Sequence, residues 1–201
     1  NGEKYLFLPP YLTGAEIEKI KPLTEKFDGI YCDGIYGFKL AEELNKPLFA
    51  GCGLNFSNSA DIALCNAKYI ALSKELTAEE AQPLSTQNTF YLTAGNIKVM
   101  DLIYCPFEKK CNSCDKRKIY TLTDENGRKF PLRRYKCTDS CRFEVYNCAD
   151  LVSAQNFSGT LIDATLEENP AELFKSISDI EKLKRHFNGD YTRGHTAKPI
   201  E

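Results

Sequence analysis

Residues 4–100 alternate short apolar runs with helical patterns, and this alternation is the strongest constraint on what the chain can become. Tyr5-Leu6-Phe7-Leu8 reads as a strand, followed by further strands at Phe27 to Cys32, Pro47 to Leu54, Tyr69 to Ser73 and Thr89 to Thr93. Helix starts lie between them. Thr13 with Glu16, and Thr77 with Glu80, form capping boxes, in which the threonine hydroxyl accepts from a backbone N–H three residues on and the glutamate reaches back. A helix is expected around Phe38–Leu44, and Asn58 or Ser59 caps another that runs to Cys65. Strands alternating with helices at this spacing predict βα units and a parallel sheet. Later in the chain, Thr160–Thr165 reads as a sixth strand. Asn169-Pro170 opens a final helix with Leu173, Phe174, Ile177, Ile180, Leu183 and Phe187 on one face, and Asn188-Gly189 ends it.

A cysteine-rich stretch interrupts this rhythm. Cys32, Cys52 and Cys65 lie in apolar or Gly-rich surroundings and read as small core residues. The other six follow the spacing Cys105-x5-Cys111-x2-Cys114-x22-Cys137-x3-Cys141-x6-Cys148. Two close pairs separated by a hairpin-length insert suit a thiolate metal site, each pair clamping one side of the ion. Inside the insert, Asn126-Gly127 between Ile119–Thr123 and Lys129–Tyr135 is a strong hairpin signal. A structural zinc site and an iron–sulfur cluster both suit all-thiolate ligation, and spacing does not separate them. Disulfides would require an oxidising compartment, whereas the rest of the chain reads as cytoplasmic α/β. The sequence thus divides into a βα segment at 1–100, a cysteine-rich module at 101–150, and a final βα unit with a tail at 151–201.

Charge follows the same division. From Cys105 to Cys148 there are 11 Lys+Arg against 6 Asp+Glu, a local surplus of +5 in a chain of net charge -2. Lys109, Lys110, Lys116, Arg117, Lys118, Arg128, Lys129, Arg133 and Arg134 make the hairpin basic. Such a patch suits an anionic partner, with RNA phosphates as the expected one, contacted through Lys116, Arg117, Lys118, Arg133 and Arg134. No apolar run approaches the roughly 18 residues of a membrane span, so no membrane partner is expected. The chain opens Asn1-Gly2-Glu3 and its single methionine is Met100, which leads to the expectation of a piece of a longer protein, with the rest of that chain as a partner.

Common catalytic motifs are missing. There is no G-x-S-x-G elbow, H-E-x-x-H zinc motif or phosphate-binding glycine loop, and the two histidines, His186 and His195, both lie near the C-terminus. Polar residues at the C-terminal ends of strands are better placed, because that face carries the site in βα barrels. They are Asp33, Asn55, Asn58, Ser73, Glu75, Asn96, Thr165 and Glu167, of which Asn55, Glu75 and Glu167 are the expected catalytic residues.

Several stretches, in order along the chain, resemble the peptidase U-32 (collagenase-like) family. They are Gly53-Leu54-Asn55-Phe56-Ser57-Asn58, Ile70-Ala71-Leu72-Ser73-Lys74-Glu75-Leu76-Thr77, Val99-Met100-Asp101-Leu102-Ile103-Tyr104-Cys105-Pro106, Leu122-Thr123-Asp124 with Phe130-Pro131-Leu132, Cys141-Arg142 through Tyr146-Asn147, and Thr192-Arg193-Gly194-His195. The best fit is the C-terminal part of a long-form member. The resemblance implies a partial TIM-like (βα) barrel of about six strands with a Cys-rich β-hairpin insertion. It also implies a four-cysteine iron–sulfur (4Fe-4S) cluster, and a part in hydroxylation of RNA bases (tRNA or rRNA) or of a quinone precursor. Carried over by position, the ligands are Cys105, Cys111 or Cys114, Cys141, and Cys137; Cys148 stands where the family usually has serine. Two other readings stay open: a collagenase-like peptidase, after the family name, and a binding domain stapled by zinc.

Overall fold

The computed structural model describes residues 2–107, 111, 114–153 and 157–197. The chain forms a mixed α/β structure with a parallel-rich sheet, in two compact units: Asn1–Thr93 with Ser153–Ile162 and Arg193–Glu201, and Ala94–Val152 with Asp163–Thr192. Among the described residues, no helix is long and apolar enough to cross a membrane.

The first unit carries β1 (Tyr5–Leu8), α1 (Gly14–Ile20), β2 (Gly29–Cys32), α2 (Tyr36–Leu44), β3 (Leu48–Ala50), α3 (Ser59–Leu64), β4 (Tyr69–Ala71), α4 (Ala78–Ala81) and most of β5 (Thr89–Gly95). The five strands lie side by side in sequence order, all parallel, as short βα units require. Alternation sorts their side chains onto two faces. Leu8, Ile30, Cys32, Leu48, Ala50 and Ile70 share one and are all buried, and each large aliphatic chain so buried contributes about 1.5–3 kcal/mol. The other is aromatic: Tyr5, Phe7, Tyr31, Phe49, Tyr69 and Phe90 touch in a continuous row with ring centroids 5.0–6.0 Å apart.

Both capping boxes form, with Thr13 and Thr77 hydroxyls accepting from the Glu16 and Glu80 amides at 3.3 and 3.2 Å. Asn58 caps α3 by accepting from the Asp61 amide at 2.9 Å. The third strand is shorter than the sequence suggests. It stops at Ala50, and Cys52–Leu54 turns as a 3-10 segment that ends with Asn55 in the left-handed region at φ 59°. β4 likewise ends as a regular strand at Ala71; beyond it the Leu72 amide still donates to the Phe90 carbonyl at 2.8 Å, and Leu72 forms a single parallel bridge to Phe56, whose carbonyl accepts the Ser73 amide at 2.8 Å.

The second unit contains an antiparallel sheet of β6 (Lys98–Leu102), β7 (Ile119–Thr123), β8 (Lys129–Cys137) and β9 (Ser140–Tyr146), in the order β6-β9-β8-β7. The expected hairpin is β7–β8, with Gly127 at φ 77° in its turn. β10 (Asp150–Val152) runs antiparallel to the end of β5 at Ala94 and Gly95, while β11 (Thr160–Asp163), which belongs to the first unit up to Ile162, also pairs with β5. The expected single final helix is two, α5 (Pro170–Ser176) and α6 (Ile180–His186). Asp179 divides them: its carboxylate accepts from the Glu181 and Lys182 amides at 3.0 and 3.2 Å and starts a new helix. β12 (Tyr191–Thr192) follows and pairs in parallel with β10.

Candidate functional site

The cysteine-rich module is built around the β8–β9 hairpin. Only Thr138 and Asp139 separate the strands, and Thr138 takes φ 52° to make the turn. This turn pairs Cys137 with Ser140 and Lys136 with Cys141. Directly opposed residues share a face and neighbours alternate, so Cys137 and Cys141 lie on opposite faces of the hairpin. Cys141 shares the apolar face with Leu132, Phe143 and Val145, against which Leu102, Phe107, Tyr120 and Phe130 pack. Cys137 lies on the other face with Tyr135, Arg142 and Glu144, and is buried.

Phe107 anchors the cysteine segment to the apolar face, its ring 4.6 Å from Tyr120 and 5.8 Å from Phe143. Cys105 stands two residues before this anchor and is exposed, as is Cys111. The Cys114 amide donates to the Cys111 carbonyl at 3.4 Å.

Arg134 connects the two cysteine clusters. It donates through Nε to the Arg117 carbonyl at 3.0 Å, through Nη2 to the Lys116 carbonyl at 2.8 Å and through Nη1 to Sγ of Cys141 at 3.3 Å. The same guanidinium attracts Cys114. The Lys116 amide donates to Sγ of Cys114 at 3.3 Å, and the Tyr120 hydroxyl lies 3.8 Å from that sulfur. The Lys116 amide first, then Tyr120, and to a smaller extent Arg134 hold the Cys114 thiol below its ordinary range; desolvation and the Asp115 charge oppose them. Tyr120, hydrogen-bonded to Asp115, is pushed up to about 12.

The predicted cations divide. Lys116, Arg117 and Lys118 are exposed, with Arg117 beside Asp115 at 3.0 Å. Arg133 is instead committed to the buried Glu144 carboxylate at 2.7 Å, which also receives the Tyr146 hydroxyl at 3.1 Å. Arg134 is spent on the contacts above. Lys109 and Lys110 lie outside the described residues. Among the described residues, no three side chains of His, Cys, Asp or Glu gather at metal-binding positions, and no cysteine forms a disulfide.

The chain matches no family model, no curated protein and no solved structure. The family resemblance therefore rests on its own motifs.

The expected catalytic residues have separate surroundings. In the first unit, the Asn55 side-chain oxygen accepts the Ser73 hydroxyl, and Ser73, itself buried, accepts from the Glu75 amide at 3.1 Å. Asn55 and Ser73 thus fix one another, while the Glu75 side chain is exposed. Nearby, Asp33 accepts from the Gly53 amide at 3.0 Å and the Tyr31 hydroxyl accepts from the Cys52 amide at 3.2 Å. Gly51 makes this approach feasible, since a Cβ there would stand 2.2 Å from Asp33 Oδ1. Burial pushes the Tyr31 phenol far up, so it stays a neutral hydrogen-bonding group.

In the second unit, Glu167 meets His186 Nε2 at 3.0 Å, both side chains largely buried. Asn96 donates to Asp150 at 2.7 Å and accepts from the Leu166 amide at 2.8 Å, which ties the Glu167 loop down. Burial raises the Asp150 carboxyl, and the charges of Glu167, Asp190 and Asp163 add to that rise. The Glu167–His186 pair escaped the sequence reading because its members are 19 residues apart and His186 is explained equally well by its place at a helix C-terminus.

Proposed function

We propose that the chain is part of a peptidase U-32-like protein whose cysteine module holds an iron–sulfur cluster and which acts, as enzyme or accessory half, in hydroxylation of RNA bases in the cytoplasm. In this reading the open parallel array is one portion of a TIM-like (βα) barrel, and the rest of a longer chain supplies the remaining strands. The observation that carries the proposal is Arg134, which donates to Sγ of Cys141 and to the carbonyl of Lys116, whose own amide donates to Sγ of Cys114, 27 residues before Cys141. Thiolates are costly to gather unless cations and N–H donors offset their charge, and here a guanidinium and the Lys116 amide both point at sulfur. That donor set suits a thiolate-held group. The hairpin faces favour Cys105, Cys111, Cys114 and Cys141 as its ligands, with Cys137 outside the set. A cluster held there would supply one-electron chemistry. Lys116, Arg117 and Lys118, next to the ligands and exposed, would hold the RNA backbone.

The test is anaerobic purification with iron, sulfide and zinc analysis, an optical spectrum, and RNA binding. The proposal expects about four irons per chain and RNA affinity that falls on reversing Lys116 and Lys118. Stoichiometric zinc that persists after anaerobic iron–sulfur reconstitution would favour the zinc-stapled binding domain. Gelatin hydrolysis abolished by chelation would favour the peptidase reading.

A further inference from the structure

Helices α5 and α6 border an open cleft of about 500 Å³ lined by Glu172, Lys175, Ser176, Lys182, Arg185 and His186. Lys182, Arg185 and His186 reach it because residues three and four apart share a helix face. Lys175 comes from the neighbouring helix, so three permanent cations line the cleft together with one carboxylate, Glu172. Their neutralisation is poor compared with that of Lys184, which does not line the cleft and pairs with Glu181 at 2.7 Å. Lys182 stands 3.8 Å from Asp179, whose carboxylate is already engaged in capping α6. Arg185 feels the same Asp179, and Lys175 has no carboxylate within ion-pair distance among the described residues. The helix dipole favours Lys175, Arg185 and His186 in the last turns of their helices, but Lys182 lies in the first turn of α6, where a cation is disfavoured.

We infer that this cleft binds a phosphate group. The geometry suits it: two ammonium groups act as point charges, Arg185 offers a fork of N–H donors, and the His186 ring is held by Glu167 at 3.0 Å. The phosphate belongs to an RNA backbone or to a small phosphorylated molecule, which present the same oxyanion. The inference does not depend on the cluster, since none of its residues is a proposed ligand.

Inorganic phosphate titrated into the full chain at low ionic strength, followed by amide NMR, should give saturable shifts at Lys175, Lys182, Arg185 and His186. Lys182→Glu with Arg185→Glu should weaken binding by about tenfold or more. A short single-stranded RNA without terminal phosphates that displaces inorganic phosphate identifies the backbone as the source. Failure to displace, with phosphate still bound, identifies a small phosphorylated ligand, and both outcomes support the site. The milder Lys175→Gln and Lys182→Gln variants, checked for fold by circular dichroism, guard against a structural artefact of charge reversal. No saturable shift, or binding unchanged in all variants, overturns the inference. Loss of RNA binding on reversing Lys116 and Lys118 while phosphate binding persists would separate this cleft from the hairpin.

Discussion

Arg134 ties three parts of the cysteine module together. It fastens two loop carbonyls and one sulfur, and hydrogen bonds from a charged donor contribute roughly 1.5–3 kcal/mol where they are sheltered and less at an exposed site such as this. Arg134→Gln should therefore destabilise the second unit by about 1 kcal/mol. It should also raise amide exchange at Lys116 and Arg117 and leave exchange around Ile30 unchanged, as hydrogen exchange with mass spectrometry would reveal. Equal exchange at residues 116–117 in the two proteins would mean that the guanidinium does not hold that loop. Leu132, fully buried in the apolar face of the antiparallel sheet, should matter more: Leu132→Ala is expected to cost about 2–5 kcal/mol in chemical denaturation.

At the scale of elements, the β7–β8 hairpin depends on the Asp124 carboxylate, which accepts from the Asn126 and Arg128 amides at 3.0 and 2.9 Å and from Arg128 Nε at 2.7 Å. Desolvation raises this carboxyl, but the Arg128 side chain and the two amides outweigh it and hold it below the ordinary aspartate value of 3.8. A carboxyl depressed in the folded state stabilises above its unfolded pKa, and that contribution fades as pH falls through the folded value. The hairpin should thus hold its order at pH 5 and lose it only in stronger acid; a carbon NMR titration of Asp124 with a midpoint at or above 3.8 would contradict this. Thr77→Ala removes the hydroxyl half of a capping box from the one-turn helix α4, leaving the residue-77 amide to donate to Glu80, and should cost about 1 kcal/mol. These elements were legible because their signals are local: Thr-x-x-Glu, Asn-Gly, and alternating apolar positions. In β9, Cys141, Phe143 and Val145 alternate with Arg142 and Glu144, a pattern that assigns the two charges to a solvated face; both are buried instead, through pairings such as Arg133 with Glu144 that no local pattern specifies. The break at Asp179 was missed because the apolar stripe from Leu173 to Phe187 continues across it.

For the whole molecule, the βα order of the first unit follows from its sequence. The assembly of the candidate site does not. Even spacing suggests that Cys137 and Cys141 act together, yet a two-residue turn reverses the strand and sends them to opposite faces, a consequence of register that spacing cannot convey. The central claim is that Cys141, with the cysteines of the 105–114 segment, holds a cluster, and that Cys137 does not. The most direct test is iron and sulfide content with the optical spectrum of anaerobically purified wild-type, Cys141→Ser and Cys137→Ser proteins. The account predicts about four irons per chain in the wild type and in Cys137→Ser, with loss of iron and of the visible absorption in Cys141→Ser. Iron retained in Cys141→Ser, or iron lost from Cys137→Ser while that protein stays folded, would contradict it.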